Sequence, residues 1–296
     1  MTGTPISRRR FLRVASGAAA VGTLAVAADA TLIEPNRPRL VRVEVPLRRL
    51  PLNFDGLTIA HLSDFHYDPH FSVTPIEAAV RIANEVNPDL VVLTGDFVTS
   101  PTLRRRSFVM GAAKQAEPCA EILRRLHARF GIWAVLGNHD AFTDPLYIEA
   151  TLRRAGIQVL RNGAVPVEWR QQRFWLTGVD DVLAGSDNLE KALRGVPGTE
   201  AVVLLAHEPD FADRAATYPV DLQLSGHSHG GQVRFPLVGP VYLPKLARKY
   251  PLGLRQVGSL KLYTNPGVGT LLIPVRWNCP PEVTIITLRS SPGVVP

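Results

Sequence analysis

Five short apolar runs in this chain each end, within a few residues, in side chains that bind metal ions. Ile59–Leu62 leads to Asp64 and His66, Leu90–Leu93 to Asp96, and Ile132–Leu136 to Asn138, His139 and Asp140. Val202–Leu205 leads to His207, and Leu222–Leu224 to His227 and His229. Such runs, bounded by glycine and polar residues, read as buried strands. Strands that all finish in ligand-type residues converge on one edge of a sheet, which is where open α/β sheets place their sites. Five of the eight histidines fall in these clusters. Seven N/O ligands gathered there would exceed what one tetrahedral ion accepts and suit two ions sharing a carboxylate.

Gly95, Gly137 and Gly226 each stand one residue before a ligand. There the chain must turn tightly and come close to the ions, where a side chain would obstruct. Taken alone, His207 would read as a core or turn histidine and the His227/His229 alternation as a surface turn. The ordered series makes them ligands. His61 sits inside a strand and reads as a core histidine, His70 lies near the site in sequence, and His127 reads as exposed on a helix.

Around these runs the pattern alternates strand and helix in the first half and is richer in strand in the second. Val41–Val45 alternates as an edge strand. Thr74-Pro75-Ile76-Glu77 opens a helix, with Thr74 as cap and Ile76, Ala79, Val80, Ala83 and Val86 on one face. Further helices are expected over about Pro118–Arg129, from Asp144-Pro145 to Gly156, and after Asp187. Strands are expected at 159–160, 165–169, 174–177, 260–264 and 283–288. This order predicts an α/β chain in which two mixed sheets pack face to face with helices outside.

The ordered set Asp-x-His, Gly-Asp, Gly-Asn-His-Asp, His, Gly-His-x-His resembles the calcineurin-like metallophosphoesterases over roughly residues 55–290. Gly230-Gly231-Gln232, Asn265-Pro266-Gly267-Val268-Gly269, Arg276 and Pro281-Glu282 resemble a branch of exported bacterial phosphoesterases. The resemblance implies the four-layer sandwich of two mixed sheets flanked by helices. It implies that Asp64, His66 and His229 hold one divalent ion, that Asn138, His207 and His227 hold a second, and that Asp96 bridges them. Hydrolysis would then proceed by attack of a metal-bridged hydroxide. The donor set suits Mn²⁺, Fe or Zn²⁺ better than Ca²⁺. By the same resemblance His139 stands over the leaving group as proton donor, a role suited to imidazole, with Asp140 placed to orient it.

The chain departs from the protein phosphatases of that superfamily, whose Gly-Asp motif runs on into an Asp-Arg pair. Here it reads Gly95-Asp96-Phe97-Val98-Thr99-Ser100. This argues against a Ser/Thr protein phosphatase and leaves the phosphate-gripping residue open between the Arg104–Arg106 run, which also reads as a solvated charge run, and Arg276.

At the N-terminus, Arg8-Arg9-Arg10-Phe11-Leu12-Arg13 precedes an Ala/Gly-rich apolar run, Val14–Ala28, and the small-x-small pattern Ala28-Asp29-Ala30. This describes an export signal and closely resembles the twin-arginine type. Residues 1–30 are therefore expected to be a signal segment read by the twin-arginine machinery, with residues 31–296 one domain in the periplasm, in the cell wall or on the outer face of the membrane. The run is short for a spanning helix, so cleavage and retention stay open. Export of a folded chain would let the cytosol choose the ions loaded.

Four of the arginines behind the net charge of +7 lie in that segment. The remainder is mildly basic, which suits an anionic envelope and is no footprint for nucleic acid. Cys119 and Cys279 read as unpaired thiols. Phe235–Tyr250 follows the last ligand and reads as a loop shaping substrate access. Its apolar anchors and basic end also suit contact with a membrane surface. The expected activity is an exported, dinuclear phosphodiesterase acting on a phosphoester. Its alternatives are a pyrophosphatase on a lipid-linked sugar nucleotide of the UDP-diacylglucosamine type and a non-catalytic envelope-binding protein.

Overall fold

The structure, a computed structural model, describes residues 7–103 and 105–291. Fourteen strands among them form two six-stranded sheets and a small hairpin. The first sheet holds β1 (Arg39–Leu47), β2 (Thr58–Leu62), β3 (Leu90–Leu93), β4 (Ile132–Ala134) and β5 (Gln158–Val159). The second holds β6 (Gly163–Trp169), β7 (Gln172–Gly178), β8 (Val202–Leu205) and β9 (Leu222–Ser225). The hairpin is β10 (Arg234–Phe235) with β11 (Gly239–Pro240). Then β12 (Gly253–Val257) and β13 (Leu260–Thr264) complete the second sheet, and β14 (Glu282–Ser290) returns to the first.

Strand order is β1-β14-β2-β3-β4-β5 in one sheet and β12-β13-β9-β8-β7-β6 in the other. The central pairs β2–β3, β3–β4, β7–β8, β8–β9 and β9–β13 are parallel, so their C-terminal ends lie at one edge of each sheet. The pairs β2–β14, β6–β7 and β12–β13 are antiparallel, which makes both sheets mixed.

The period of two sorts side chains between layers. On β3, Leu90 and Val92 enter the core between the sheets, while Val91 and Leu93 face the outer helices. On β8, Val203 and Leu205 face the first sheet and Val202 and Leu204 the opposite helices. Strands covered on both faces read as unbroken apolar runs, which is why these were legible.

The helices are α1 (Arg8–Ala28), α2 (Val73–Val86), α3 (Arg106–Lys114), α4 (Ala116–Leu123), α5 (Asn138–Ala141), α6 (Pro145–Arg154), α7 (Leu189–Ala192) and α8 (Ala212–Ala215). Residues of α2, α4 and α6 cover the first sheet and those of α7 and α8 the second, giving the expected four layers.

Details differ from expectation. Thr74 does not cap α2. Ser72 holds the cap position, with its hydroxyl bonded to the Asp68 backbone rather than to the helix. The helix expected to reach Arg129 ends at Leu123, where the chain turns and buries Leu126. The short helix expected after Asp187 is α7, capped by the Asn188 side chain. Asp144 caps α6 through its side chain, as its place before Pro145 predicts.

Candidate metal centre

The two sheets bring their parallel strand ends together, so the site spans both sheets rather than the edge of one. β2, β3 and β4 deliver Asp64, His66, Asp96 and Asn138 from one side, and β8 and β9 deliver His207, His227 and His229 from the other. The loops are wound on one another. Phe65 and His66 N–H donate to the Asp96 carbonyl at 2.8 and 2.9 Å, and Gly226 N–H donates to the His207 carbonyl at 3.0 Å.

All seven predicted ligands are buried. One ligand atom from each of Asp64, His66 and His229 lies within 4.8 Å of the others, and the same holds for Asp96, His207 and His227. Asp96 reaches both groups, with Oδ2 at 3.4 Å from His66 Nε2 and 3.2 Å from His207 Nε2. The Asn138 Oδ1 atom is buried and has no hydrogen-bond partner in the protein, and His207 Nε2 is buried beside the Asp96 carboxylate. Buried polar atoms are ordinarily paired, so lone pairs left open beside buried carboxylates fit divalent cations.

The rings are held from behind, as ligating imidazoles are. His207 Nδ1 lies 2.6 Å from the Thr94 carbonyl and His227 Nε2 lies 2.9 Å from the Lys245 carbonyl. A carbonyl only accepts, so those nitrogens carry the protons and the others stay free for an ion. His66 Nδ1 is held by Thr99 Oγ1 at 3.0 Å.

Backbone strain concentrates here. Asp64, His66, Asp96, His227 and His229 all have positive φ, between 41° and 66°. For residues with a Cβ that conformation costs on the order of 1 kcal/mol each, and it persists where surrounding structure imposes it. At Gly137 an added Cβ would meet the Asp96 side chain and backbone and the His207 ring. At Gly226 it would meet Ser63 and the Asp64 carboxylate. Those two glycines are required by close approach, as the sequence predicted.

Burial leaves His66 neutral down to about 3 and His227 down to about 4. Against burial, the Asp96 carboxylate raises His207, and His207 in turn holds Asp96 below the usual carboxylate range. Burial above all, opposed by His207, pushes the Asp64 carboxyl up to about 6. A raised folded-state value means the fold prefers protonated Asp64. This group's contribution to stability is therefore present below the unfolded value of 3.8 and lost as pH rises through about 6. A bound cation prefers the carboxylate and removes that loss. The gain in thermal midpoint on adding Mn²⁺ is thus expected to grow as pH is raised from about 5 to about 7. A gain that shrinks over that interval in a thermal-shift titration would contradict this electrostatic picture.

His139 is partly exposed at the mouth of the site, edge-on to the His66 ring at 4.8 Å between centroids. Its partner is Ser100, not Asp140. Ser100 N–H donates to Nδ1 at 3.0 Å and Ser100 Oγ lies 2.9 Å from the same atom. In the neutral ring the proton therefore sits on Nε2. The Asp140 carboxylate instead accepts the backbone N–H groups of Asp96, Phe97, Val98 and Gly137, at 2.8 to 3.2 Å. It shapes the Gly-Asp loop, and its hydrogen bonds go to these backbone groups rather than to the His139 ring. Ser100 and Thr99 were missed as functional residues, although they lie in the same loop as Gly95-Asp96. The only signal available was their place three and four residues beyond a ligand.

Arg276 is not free to grip phosphate. It is fully buried, and its guanidinium donates to the carbonyls of Pro266, Gly267, Gly269 and Cys279. It stiffens the loop whose Gly269 N–H donates to the Asp64 carbonyl. Arg105 and Arg106 are exposed, and Arg104 lies outside the described residues. Asn265 clamps the sheets together behind the site, bonding the His61 carbonyl and Thr284 Oγ1. His61 is a core histidine bonded to Thr94, while His70 and His127 are exposed. Cys119 and Cys279 are buried free thiols.

The sequence profile described as calcineurin-like phosphoesterase matches residues 57–231. The chain is 33% identical over 293 residues to an uncharacterized metallophosphoesterase, YkuE, of Bacillus subtilis, covering 97% of this chain and 99% of that one. It is 34% identical over 289 residues to the phosphodiesterase YaeI of Escherichia coli, covering 96% and 99%. A Danio rerio transmembrane protein with metallophosphoesterase domain is 34% identical over 270 residues, covering 86% of this chain and 58% of that protein.

Proposed function

This chain belongs to the calcineurin-like metallophosphoesterase family, and from that premise we propose that it is an exported, dinuclear phosphodiesterase. The observation that carries the reading is the pair of buried ligand groups, Asp64–His66–His229 and Asp96–His207–His227, with Asp96 within reach of both. Asn138, whose Oδ1 is open, joins the second. When bound, divalent ions supply Lewis acidity to phosphoryl oxygens and lower the pKa of water. The protein's own part is to hold the ligand set rigid and to present the His139 Nε2–H at the mouth, where it donates to the leaving oxygen. Ser100 fixes the ring for that task.

Two observations favour a diester. A diester carries one negative charge and a monoester up to two, so a monoester calls for an added cation. Of the described arginines that the sequence offered for this, Arg276 is committed to carbonyls and Arg105 and Arg106 face solvent, while Arg104 lies outside the described residues. The Escherichia coli relative is named a phosphodiesterase. Export is supported by the arginine cluster ahead of an apolar N-terminal helix.

The test is hydrolysis of bis-p-nitrophenyl phosphate against p-nitrophenyl phosphate by metal-stripped protein with Mn²⁺, Fe²⁺ or Zn²⁺ restored. Metal-dependent diester turnover exceeding monoester turnover is expected. Metal binding without turnover of either ester would turn the reading toward a pyrophosphate substrate. Absence of both would favour a non-catalytic binding protein.

A further inference from the structure

α1 ends at Ala28, but helical backbone does not: a π-helical turn, Asp29–Ile33, and a 3-10 turn, Glu34–Asn36, follow it without a break. The helical run continues through Ala28-Asp29-Ala30 to Asn36, 29 residues that are long and apolar enough to cross a membrane. Phe11–Ala28 alone, at 1.5 Å per residue, covers about 27 Å, with Arg13 near enough to the end to snorkel. Arg8, Arg9, Arg10 and Arg13 at the N-terminal end would keep that end inside, leaving the domain on the far side.

The end of this run is docked on the domain. Ala30 is buried and its carbonyl accepts Arg276 N–H at 2.9 Å. The Glu34 carboxylate accepts the N–H groups of Asn278 and Cys279, and Pro35 is buried. The cleavage pattern is helical throughout, with Ala28 exposed and Ala30 buried; hydrogen-bonded helical backbone anchored at Ala30 is a poor substrate, because proteolysis selects exposed, unpaired backbone.

The strip that receives the helix also carries two apolar loop tips. Trp277 exchanges backbone bonds with Gln232 and Arg234, and its ring meets Phe235 edge-on at 4.9 Å, which fixes the base of the β10–β11 hairpin. The tip of that hairpin is Leu237-Val238, with Leu237 109% and Val238 82% exposed. Just before Arg276 stand Leu272 and Ile273, 89% and 58% exposed. Leu32 and Ile33, beside the docked end of the helix, are exposed too. Leu272 and Ile273 form one wall of a cleft of about 330 Å³ that contains His66 and Thr99. Apolar side chains this exposed, on loops hydrogen-bonded to the segment that receives the helix, mark a surface that is covered.

We infer that residues 8–36 are retained as a membrane anchor, and that the 237–238 and 272–273 tips seat in the same leaflet, so that the cleft lined by His66 and Thr99 opens at the bilayer surface. The occupant of this apolar face is the lipid bilayer itself. The inference concerns where the cleft sits and holds whatever ester is cleaved.

The test uses the full chain in vesicles of phosphatidylethanolamine and phosphatidylglycerol. Val238→Cys and Leu272→Cys are labelled with an environment-sensitive fluorophore, the native thiols being buried. Gln171→Cys, in the β6–β7 turn at the opposite edge of the second sheet, is the control. Blue-shifted emission, quenched by spin-labelled lipid at 238 and 272 but not at 171, is expected, together with full-length chain in the membrane fraction of expressing cells. Unquenched, water-like emission at both tips would overturn the seating, and a released chain beginning near residue 31 would overturn the anchor.

Discussion

Asp96→Asn is expected to leave the fold intact and to lower kcat/KM for a phosphodiester at least ~10³-fold, about 4 kcal/mol of transition-state stabilisation. Asn keeps the volume of a side chain that is 1% exposed, and its amide oxygen can still accept the His139 N–H that Asp96 Oδ1 accepts at 2.9 Å. What it removes is the charge between His66 and His207, the one carboxylate that reaches both ligand groups. The loss should appear first as a missing equivalent of metal and then as lost turnover. Metal analysis beside steady-state hydrolysis checks both. Activity within tenfold of the unaltered chain would mean that the two groups do not act as one centre.

His139→Ala should separate chemistry from metal binding. The ring stands at the mouth, held through Nδ1 by Ser100, with Nε2–H free to donate. Loss of a positioned proton donor is worth roughly 10²–10⁴-fold in rate. The loss should fall mainly on kcat, with metal content unchanged. It should also be smaller for a p-nitrophenyl diester than for an alkyl diester, because p-nitrophenolate leaves without a proton. Equal losses for both esters would make His139 a structural residue. His139→Ala measured beside Ser100→Ala adds a gradation. The Ser100 backbone N–H persists in that variant, so its loss should be the milder of the two.

How much of this was legible in the sequence follows from burial. The strands that end in ligands are covered on both faces, and a strand so placed must be an unbroken apolar run. α3 was missed because Ala113 is the only one of its residues that is buried, which leaves no apolar stripe to read. β12 was missed for the same reason, with Val257 alone buried. The candidate ligand set was legible because side chains that could hold divalent ions in such a centre are Asp, Asn or His at strand ends. The groups that hold those ligands were not, because many are backbone atoms, such as the carbonyls of Thr94 and Lys245, that any residue could provide. The roles expected for Asp140 and Arg276 differ from their contacts for one reason. Each is engaged with main-chain groups, four N–H donors in one case and four carbonyls in the other, and side-chain identity does not announce such partners. The continuation of α1 was hidden by Asp29 and by Glu34-Pro35, which end the apolar run without ending the helix.

The most direct test of the dinuclear reading is a titration of metal-stripped protein with Mn²⁺ in which bound metal and diester turnover are followed together. Two equivalents should bind, with turnover appearing as the second site fills. Full turnover at one equivalent, or two bound equivalents with no turnover of any diester, would contradict it.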